Sequence, residues 1–433
     1  MKKISILFLL CCINFVSLSY STEVHKVSFL KNSEGFWRLN INGTETPIRG
    51  AGGVASPGML EKFKEVGGNF TRTWGIGTLE EKVSGDARYI DKAAELGVHV
   101  MAGIWIGHER HGFNYANQQQ LDKQREHVRQ SVRKWKDHRG IAMWGLGNEM
   151  EGPQSKAGNP AMWKELNVLA QIIHEEDPSR PVMTVIAGSS AGKIKSLMKF
   201  CPDIDALGVN SYGAAAGVGE ALARLGWTKP FAITEFGVQG FWEAPATSWG
   251  AAIEPHSSEK ARTYFATHKL VTSINDGKEL CLGTFAFLWG WKQEKTSTWF
   301  GMYLETMEKL PQVDAMVKAW TGKWPKNRCP KILSVKANFM GKKVSPSTKL
   351  IATVEALDPE GDNLIFNWLV VEESKAQSVG GDKEYVPPSF PQLTLINNDP
   401  QAVIKSPSKR GAYRLFLTIR DGRGNAATAN IPF

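Results

Sequence analysis

Cysteine is scarce in this chain and unpatterned. Of the 5 cysteines in 433 residues, Cys11 and Cys12 lie in the apolar N-terminal stretch, and only Cys201, Cys281 and Cys329 remain beyond it. Without CxxC spacing there is no zinc or dithiol motif, and an odd number of thiols allows at most one disulfide within the chain. Long apolar runs are also missing past the N-terminus: none approaches the roughly 18 residues a membrane helix requires. The 52 basic residues exceed the 43 acidic ones only mildly and form no basic block, so a nucleic-acid partner is not expected. No glycine-rich phosphate loop follows the first candidate strand, and no metal or other cofactor is expected.

What is present begins with "MKKISILFLLCCINFVSLSYS". Two lysines, an apolar run of signal-peptide length and a small-x-small ending at Ser19-Tyr20-Ser21 read as a secretory signal over residues 1–21. The mature protein is therefore expected to be secreted or periplasmic. Phe8-Leu9-Leu10 ahead of Cys11 is a poor lipidation site, because a small residue normally precedes a lipidated cysteine. A hydrophobic fraction of 42% with 15 Trp and 20 Phe supports a large core, with more tryptophan than a core needs. Part of that tryptophan is expected to face a ligand.

Between residues 22 and 326, short apolar segments alternate with amphipathic helical ones such as "LDKQREHVRQSVRKWKDH", the rhythm of repeated βα units. After an N-terminal β-hairpin, the candidate strands are "TPIRGAGG", "GNFTRTWG", "GVHVMAGIWI", "GIAMWGLGNE", "PVMTVIAG", "DALGVNSYG", "PFAITEFG" and "CLGTFAFLWGW". Eight such units over roughly 250 residues predict an α/β fold, a (β/α)8 TIM barrel. An open doubly wound sheet is the competitor, disfavoured by the missing phosphate fingerprint. From 327 to 433 the pattern changes to alternating strands and turn residues, which predicts an immunoglobulin-like β-sandwich. The polar junction "TGKWPKNRCPK" suggests that this second unit folds separately. "LDPEGDNLIFNW" and "GAYRLFLTIRDGRGN" resemble polycystic-kidney-disease-type sandwich modules. Asp358, Glu360 and Asp362 there suit a turn on a solvated hairpin better than a calcium loop.

Catalytic groups of a (β/α)8 enzyme sit at the C-terminal ends of its strands. Two of those ends carry a glutamate after buried residues: Glu149 on the fourth and Glu235 on the seventh. A carboxylate is rarely left in such a place merely to pack. Two carboxyl groups facing one site are what glycoside hydrolysis needs, one to protonate the leaving oxygen and one to attack the sugar carbon.

These residues carry a family resemblance. The barrel resembles the retaining (β/α)8 glycoside hydrolases of clan A, which have Asn-Glu after the fourth strand and Glu after the seventh. "VRKWKDHRGIAMWGLGNE" and "NGTETPIRGAGG" are similar to the corresponding passages of family 2 barrels. The resemblance implies Glu149 as acid/base, Glu235 as nucleophile and Asn148 as the partner of the sugar 2-hydroxyl. It further implies that Arg72 and Tyr212 hold the nucleophile ionised, and that Trp289 is the platform under the sugar. His108 is expected to bind a hydroxyl or orient Glu149. Trp74, Phe241, Trp242, Trp249, Trp291 and Trp299 are candidates for stacking on a sugar chain. The chain lacks the long N-terminal domains of family 2 and carries a trailing sandwich, a layout similar to the β-1,3-glucanases of family 158. The expected function is thus a retaining β-glycoside hydrolase acting on a polysaccharide, with an endo-β-glucanase, β-1,3 first, as the leading expectation. An exo-acting β-glycosidase such as a β-galactosidase is the alternative. A noncatalytic carbohydrate-binding barrel is disfavoured by the intact carboxylate pair.

Overall fold

The computed structural model describes residues 26–152, 155–273, 278–376 and 381–433. The expected signal segment, residues 1–21, lies outside the described residues. The central element is a closed parallel barrel of eight strands. They are β1 (Ile48–Gly52), β2 (Phe70–Arg72), β3 (His99–Ile104), β4 (Ile141–Asn148), β5 (Val182–Ala187), β6 (Ala206–Asn210), β7 (Phe231–Phe236) and β8 (Cys281–Ala286), hydrogen-bonded in sequential order. All eight predicted strand segments are in the barrel. Their near-continuous apolar character follows from burial on both faces, which parallel strands under a coat of helices require.

A helix follows each strand: α1 (Met59–Glu65), α2 (Tyr89–Glu95), α3 (Gln118–Trp135), α4 (Pro160–Glu176), α5 (Ala191–Phe200), α6 (Val218–Arg224), α7 (Ser257–Thr272) and α8 (Pro311–Thr321). Local sequence sets their ends. Asn117 and Asn159 accept the backbone N–H of Gln120 and Ala161 as N-caps of α3 and α4, and Pro160 and Pro311 open α4 and α8. Gly322, at φ 76°, closes α8. The barrel lumen is filled by Phe70, Met101, Met143, Met183, Val185 and Phe285. Val27, Leu39 and Ile41 of an N-terminal three-stranded antiparallel sheet join the same apolar cluster. That small sheet plugs the bottom of the barrel and leaves the C-terminal ends of the strands as the open face.

The C-terminal unit comprises β9 (Lys331–Ala337), β10 (Lys349–Leu357), β11 (Ile365–Glu372), β12 (Thr394–Ile396), β13 (Gln401–Lys405), β14 (Tyr413–Arg420) and β15 (Ala426–Pro432). They form a four-stranded sheet, β9-β10-β13-β12, and a three-stranded sheet, β11-β14-β15. Both sheets contribute to one separate core around Trp368, Leu350, Ile404 and Leu417.

The sandwich has its own core and is also joined to the barrel by buried polar contacts. Ser258 Oγ and Ser257 Oγ, at the start of α7, accept the backbone N–H of Ile332 and Thr428 at 2.9 and 2.8 Å. Arg414 donates to the Ala252 carbonyl at 2.7 Å and pairs with Glu373 at 2.6 Å. Asn430 donates to Glu254 at 2.6 Å, and Glu254 also receives Lys260, Thr296 and Thr298. Leu304, Leu310 and Ala426 form an apolar cluster across the same junction.

Among the described residues Cys201, Cys281 and Cys329 form no disulfide. In the 358–362 turn Asp358 Oδ1 accepts the N–H groups of Glu360 and Asp362, while Glu360 pairs with Arg328 and Asp362 with Arg423. Oxygens of Asp358, Asp362 and Asp421 also lie within 4.8 Å of one another, and Asp358 Oδ2 and Asp362 Oδ2 are buried without a hydrogen-bond partner, so the turn alone does not account for their geometry.

Candidate active site

The open face of the barrel holds a cleft of about 690 Å³ containing both Glu149 and Glu235. Register shifts occur in the ladder at each of the two strand ends, between Thr184 and Val185 opposite Asn148 and between Val209 and Asn210 opposite Glu235. Such irregularities re-aim side chains at barrel rims. Glu149 itself has φ 52°, a left-handed conformation that costs a non-glycine residue free energy and recurs at functional sites. Its backbone N–H is tied to the Val185 carbonyl at 2.9 Å, so the turn is fixed from β5.

Three donors converge on Glu235. Arg72 approaches Oε1 at 3.3 Å, Trp74 Nε1 donates to Oε1 at 3.0 Å, and the Tyr212 hydroxyl donates to Oε2 at 2.8 Å. Arg72 is fully buried and stacks over the Trp74 ring at 5.0 Å. Burial works against its charge, and the carboxylates of Glu235 and Glu149 favour it. The Tyr212 phenol is pushed well above its ordinary range, by burial first and by Glu235 second, which keeps it a donor.

Glu149 is held differently. Among the described residues its one side-chain donor is Asn210, at 2.8 Å, and burial followed by the charge of Glu235 lifts its carboxyl from 4.5 to about 7. One carboxyl group is therefore poised to carry a proton near neutral pH beside a second one clasped by donors. Asn148 Oδ1 accepts from Arg72 at 2.8 Å and from Asn210 at 3.1 Å. With its oxygen so occupied, the amide N–H groups are left as donors for a ligand in the cleft that Asn148 lines.

Of the predicted site residues, Glu149, Glu235, Asn148, Tyr212, Trp74 and Trp242 line the cleft, and Arg72 lies beneath them. Two expectations are corrected. Trp289 is 0% exposed and packs against Phe63, Tyr303 and Trp320. It belongs to the layer between barrel and helices, and Phe287, two residues earlier, lines the cleft instead. His108 lies in the turn after β3, buried and outside the cleft lining. Its ring stacks on Trp105 at 4.5 Å, and burial lowers its pKa to about 4, so it serves to back that tryptophan as a neutral ring. Among the other aromatic candidates Phe241 lines the cleft, Trp299 is buried in the core, and neither Trp249 nor Trp291 is in the lining.

Asn210, Trp105, Phe287, Glu243, Lys292 and Glu294 were not singled out by the sequence reading, yet all line the cleft. Asn210 could have been found, since it is a polar residue ending an apolar strand two positions before Tyr212. Lys292 and Glu294 sit in a loop whose course the sequence pattern does not define.

Comparisons with known proteins bear on the barrel that carries this site. A family model described as the glycosyl hydrolases family 2, TIM barrel domain, matches residues 90–245, from α2 through the loop after β7. Among solved structures, a β-glucuronidase of Bacteroides uniformis superposes with a TM-score of 0.50 at 13% identity, covering 94% of this chain and 48% of that one. The β-D-glucuronidase of Dictyoglomus thermophilum gives 0.51 at 15% identity, covering 70% and 54%. The chain thus spans about half the length of these structures, and the likeness is one of fold. No curated protein sequence matches. Over residues 90–245 the chain is thus similar to the TIM barrel domain of family 2 glycosyl hydrolases, and its closed eight-stranded barrel carries a carboxylate pair at the open face.

Proposed function

We propose that the protein is a retaining β-glycoside hydrolase in which Glu149 is the acid/base and Glu235 the nucleophile. The observation that carries this is the unequal environment of the two carboxyl groups: three donors on Glu235 and one on a Glu149 lifted to about 7. Environments that separate two carboxyl groups in this way assign acid and base roles. In the first step Glu149 gives its proton to the glycosidic oxygen as the bond to C1 breaks, and Glu235 attacks C1 to form a glycosyl ester. Esterification removes the charge of Glu235, so Glu149, now ionised, loses the repulsion that had raised it. It then takes a proton from water, the water attacks C1, and the sugar leaves with its original configuration. The amide of Asn148 donates to the 2-hydroxyl, a contact that strengthens in the transition state.

The substrate reading rests on where the rings lie. Trp242, 56% exposed after β7, and Trp105, 38% exposed after β3, both line the cleft, and β3 and β7 stand on opposite sides of the barrel. Rings on both sides of the catalytic pair offer sugar-stacking surface to a chain continuing in both directions. We therefore favour cleavage within a β-linked glucan, with the β-1,3 linkage first on the analogy of architecture alone. The seven-strand order of the sandwich, first-second-fifth-fourth and third-sixth-seventh, supports an immunoglobulin-like module with Trp368 buried on its third strand. Residues 1–21 support export from the cytoplasm. The test is a time course of products from laminarin, mixed-linkage glucan, mannan and galactan. A ladder of oligosaccharides from the first time points supports internal cleavage. Monosaccharide alone, or no product from any glucan beside rapid hydrolysis of an aryl galactoside, replaces this reading with an exo-acting glycosidase.

A further inference from the structure

The sandwich reaches the catalytic cleft. Gly381 and Asp382, in the segment that follows β11, are part of the cleft lining although they belong to the C-terminal unit. Barrel loops hold this segment on two sides. After β8, Lys292 Nζ donates to the Gly381 carbonyl at 2.8 Å and to Glu294 Oε2 at 2.7 Å, and the Lys295 backbone N–H donates to Glu384 at 2.9 Å. After β3, Arg110 approaches Asp382 at 3.5 Å from outside the lining. Further back, Lys295 meets Glu373 at 3.7 Å, and Glu373 is itself clasped by the buried Arg414. The segment is thereby fixed to the barrel by charge-assisted contacts, which are the stronger kind.

Carboxyl groups dominate the lining. Glu235, Glu243, Glu294 and Asp382 face the cleft beside Glu149, whose carboxyl holds its proton to about pH 7, and among the described lining residues Lys292 is the one cation; behind the lining Arg72 meets Glu235 at 3.3 Å, and Arg110 and His111 meet Asp382 at 3.5 and 3.7 Å. The Lys292 ammonium is already engaged by Glu294 and the Gly381 carbonyl. Glu294 is almost fully buried, whereas the Asp382 side chain is half exposed and so accessible to a ligand. A sugar hydroxyl or ammonium entering beside them finds acceptors. A sugar carboxylate finds like charge in a partly desolvated site, where repulsion is poorly screened.

We propose that the C-terminal sandwich supplies one wall of the substrate cleft, and that Asp382 with Glu294 and Lys292 forms a subsite for a neutral or amine-bearing sugar unit that rejects uronic acids. The proposal rests on the reading of the cleft as a β-glycan site and names the sugar class it accepts.

The experiment uses the full-length protein carrying Glu235→Gln, so that bound chains persist. Calorimetric titration compares β-1,3 and β-1,4 glucan tetrasaccharides with their counterparts oxidised to the carboxylate at every C6. The neutral chain is expected to bind at least about tenfold more tightly than its uronate partner in one linkage or both. Adding Asp382→Lys should shrink that ratio several-fold, with Asp382→Asn giving an intermediate value. Uronates that bind as well as neutral chains, a ratio that Asp382→Lys does not move, or no binding of any neutral chain would each overturn the proposal. Hydrolysis by the unsubstituted protein is followed in parallel. Neutral binding without hydrolysis removes the catalytic reading and leaves the wall standing, whereas hydrolysis with an unmoved ratio removes the wall alone.

Discussion

At the scale of single residues, what distinguishes the two glutamates is their supply of donors. On the proposed route Glu149 must be protonated to start the reaction, and its carboxyl sits at about 7, raised by burial and then by Glu235. The rate at limiting substrate is accordingly expected to fall as pH rises through about 7, a limb seen in a pH profile of kcat/KM. Stability should respond to the same group. A carboxyl whose folded pKa lies above its unfolded value binds its proton more tightly when folded, so its contribution is full below the unfolded value of 4.5 and is lost as pH rises toward 7. Glu149→Gln removes that loss, and thermal melts should show it gaining stability over the unsubstituted protein more at pH 8 than at pH 5. Tyr212→Phe takes one donor from Glu235 without leaving a large cavity. Its kcat should fall by about ten- to a thousandfold while its melting temperature changes little, as measured by stopped assays beside calorimetry.

At the scale of elements, the barrel strands were legible because each is a short apolar run bounded by glycine, proline or charge. The paired carboxylates were legible because each interrupts such a run at its end. Trp289 was misplaced by that same logic: "FLWGW" ends a strand, but the chain turns there so that Phe287 meets the cleft and Trp289 packs inward on Phe63 and Trp320. Residue spacing does not reveal which way a loop turns once the period-two alternation of the strand has ended. His108 failed for a related reason, since β3 ends at Ile104 and the intervening turn directs its ring behind Trp105. The close packing of strands also predicts a sensitive position. A Cβ added at Gly103 on β3 would lie 2.1 Å from the Thr73 carbonyl oxygen, a backbone atom that cannot swing away. Gly103→Ala should lower unfolding free energy by about 1–3 kcal/mol or more in urea titrations; a neutral effect would show that β2 and β3 are not packed as described.

At the scale of the whole molecule, the buried polar contacts between barrel and sandwich lead us to expect one stability unit despite their separate cores. Ending the chain near Lys326 would strip Glu254 of Asn430 and uncover Lys260, a buried ammonium paired with Glu254 at 2.5 Å. It would also remove the partners of Ser257 and Ser258 and the Gly381–Asp382 part of the cleft wall. Each lost hydrogen bond costs about 0.5–1.5 kcal/mol, and about 1.5–3 where it meets the charged Glu254, which together is a large share of what a domain possesses. The truncated barrel is expected to be insoluble or to melt well below the full chain in differential scanning fluorimetry, and equal melting temperatures would show that the two units are independent. The polar junction sequence gave no sign of this dependence, because the contacts come from β14, β15 and α7, far apart along the chain.

The central claim, a covalent route through Glu235 assisted by Glu149, is tested most directly by trapping. Full-length protein is incubated with 2-deoxy-2-fluoro-β-glycosyl fluorides of the gluco, galacto and manno series, and the mass of the intact protein and of its peptides is recorded. The account predicts a single adduct of one fluorosugar, located on Glu235 and absent from Glu235→Gln. An adduct on a different residue, or hydrolysis of β-glycosides that releases the inverted anomer with no adduct at all, would contradict it.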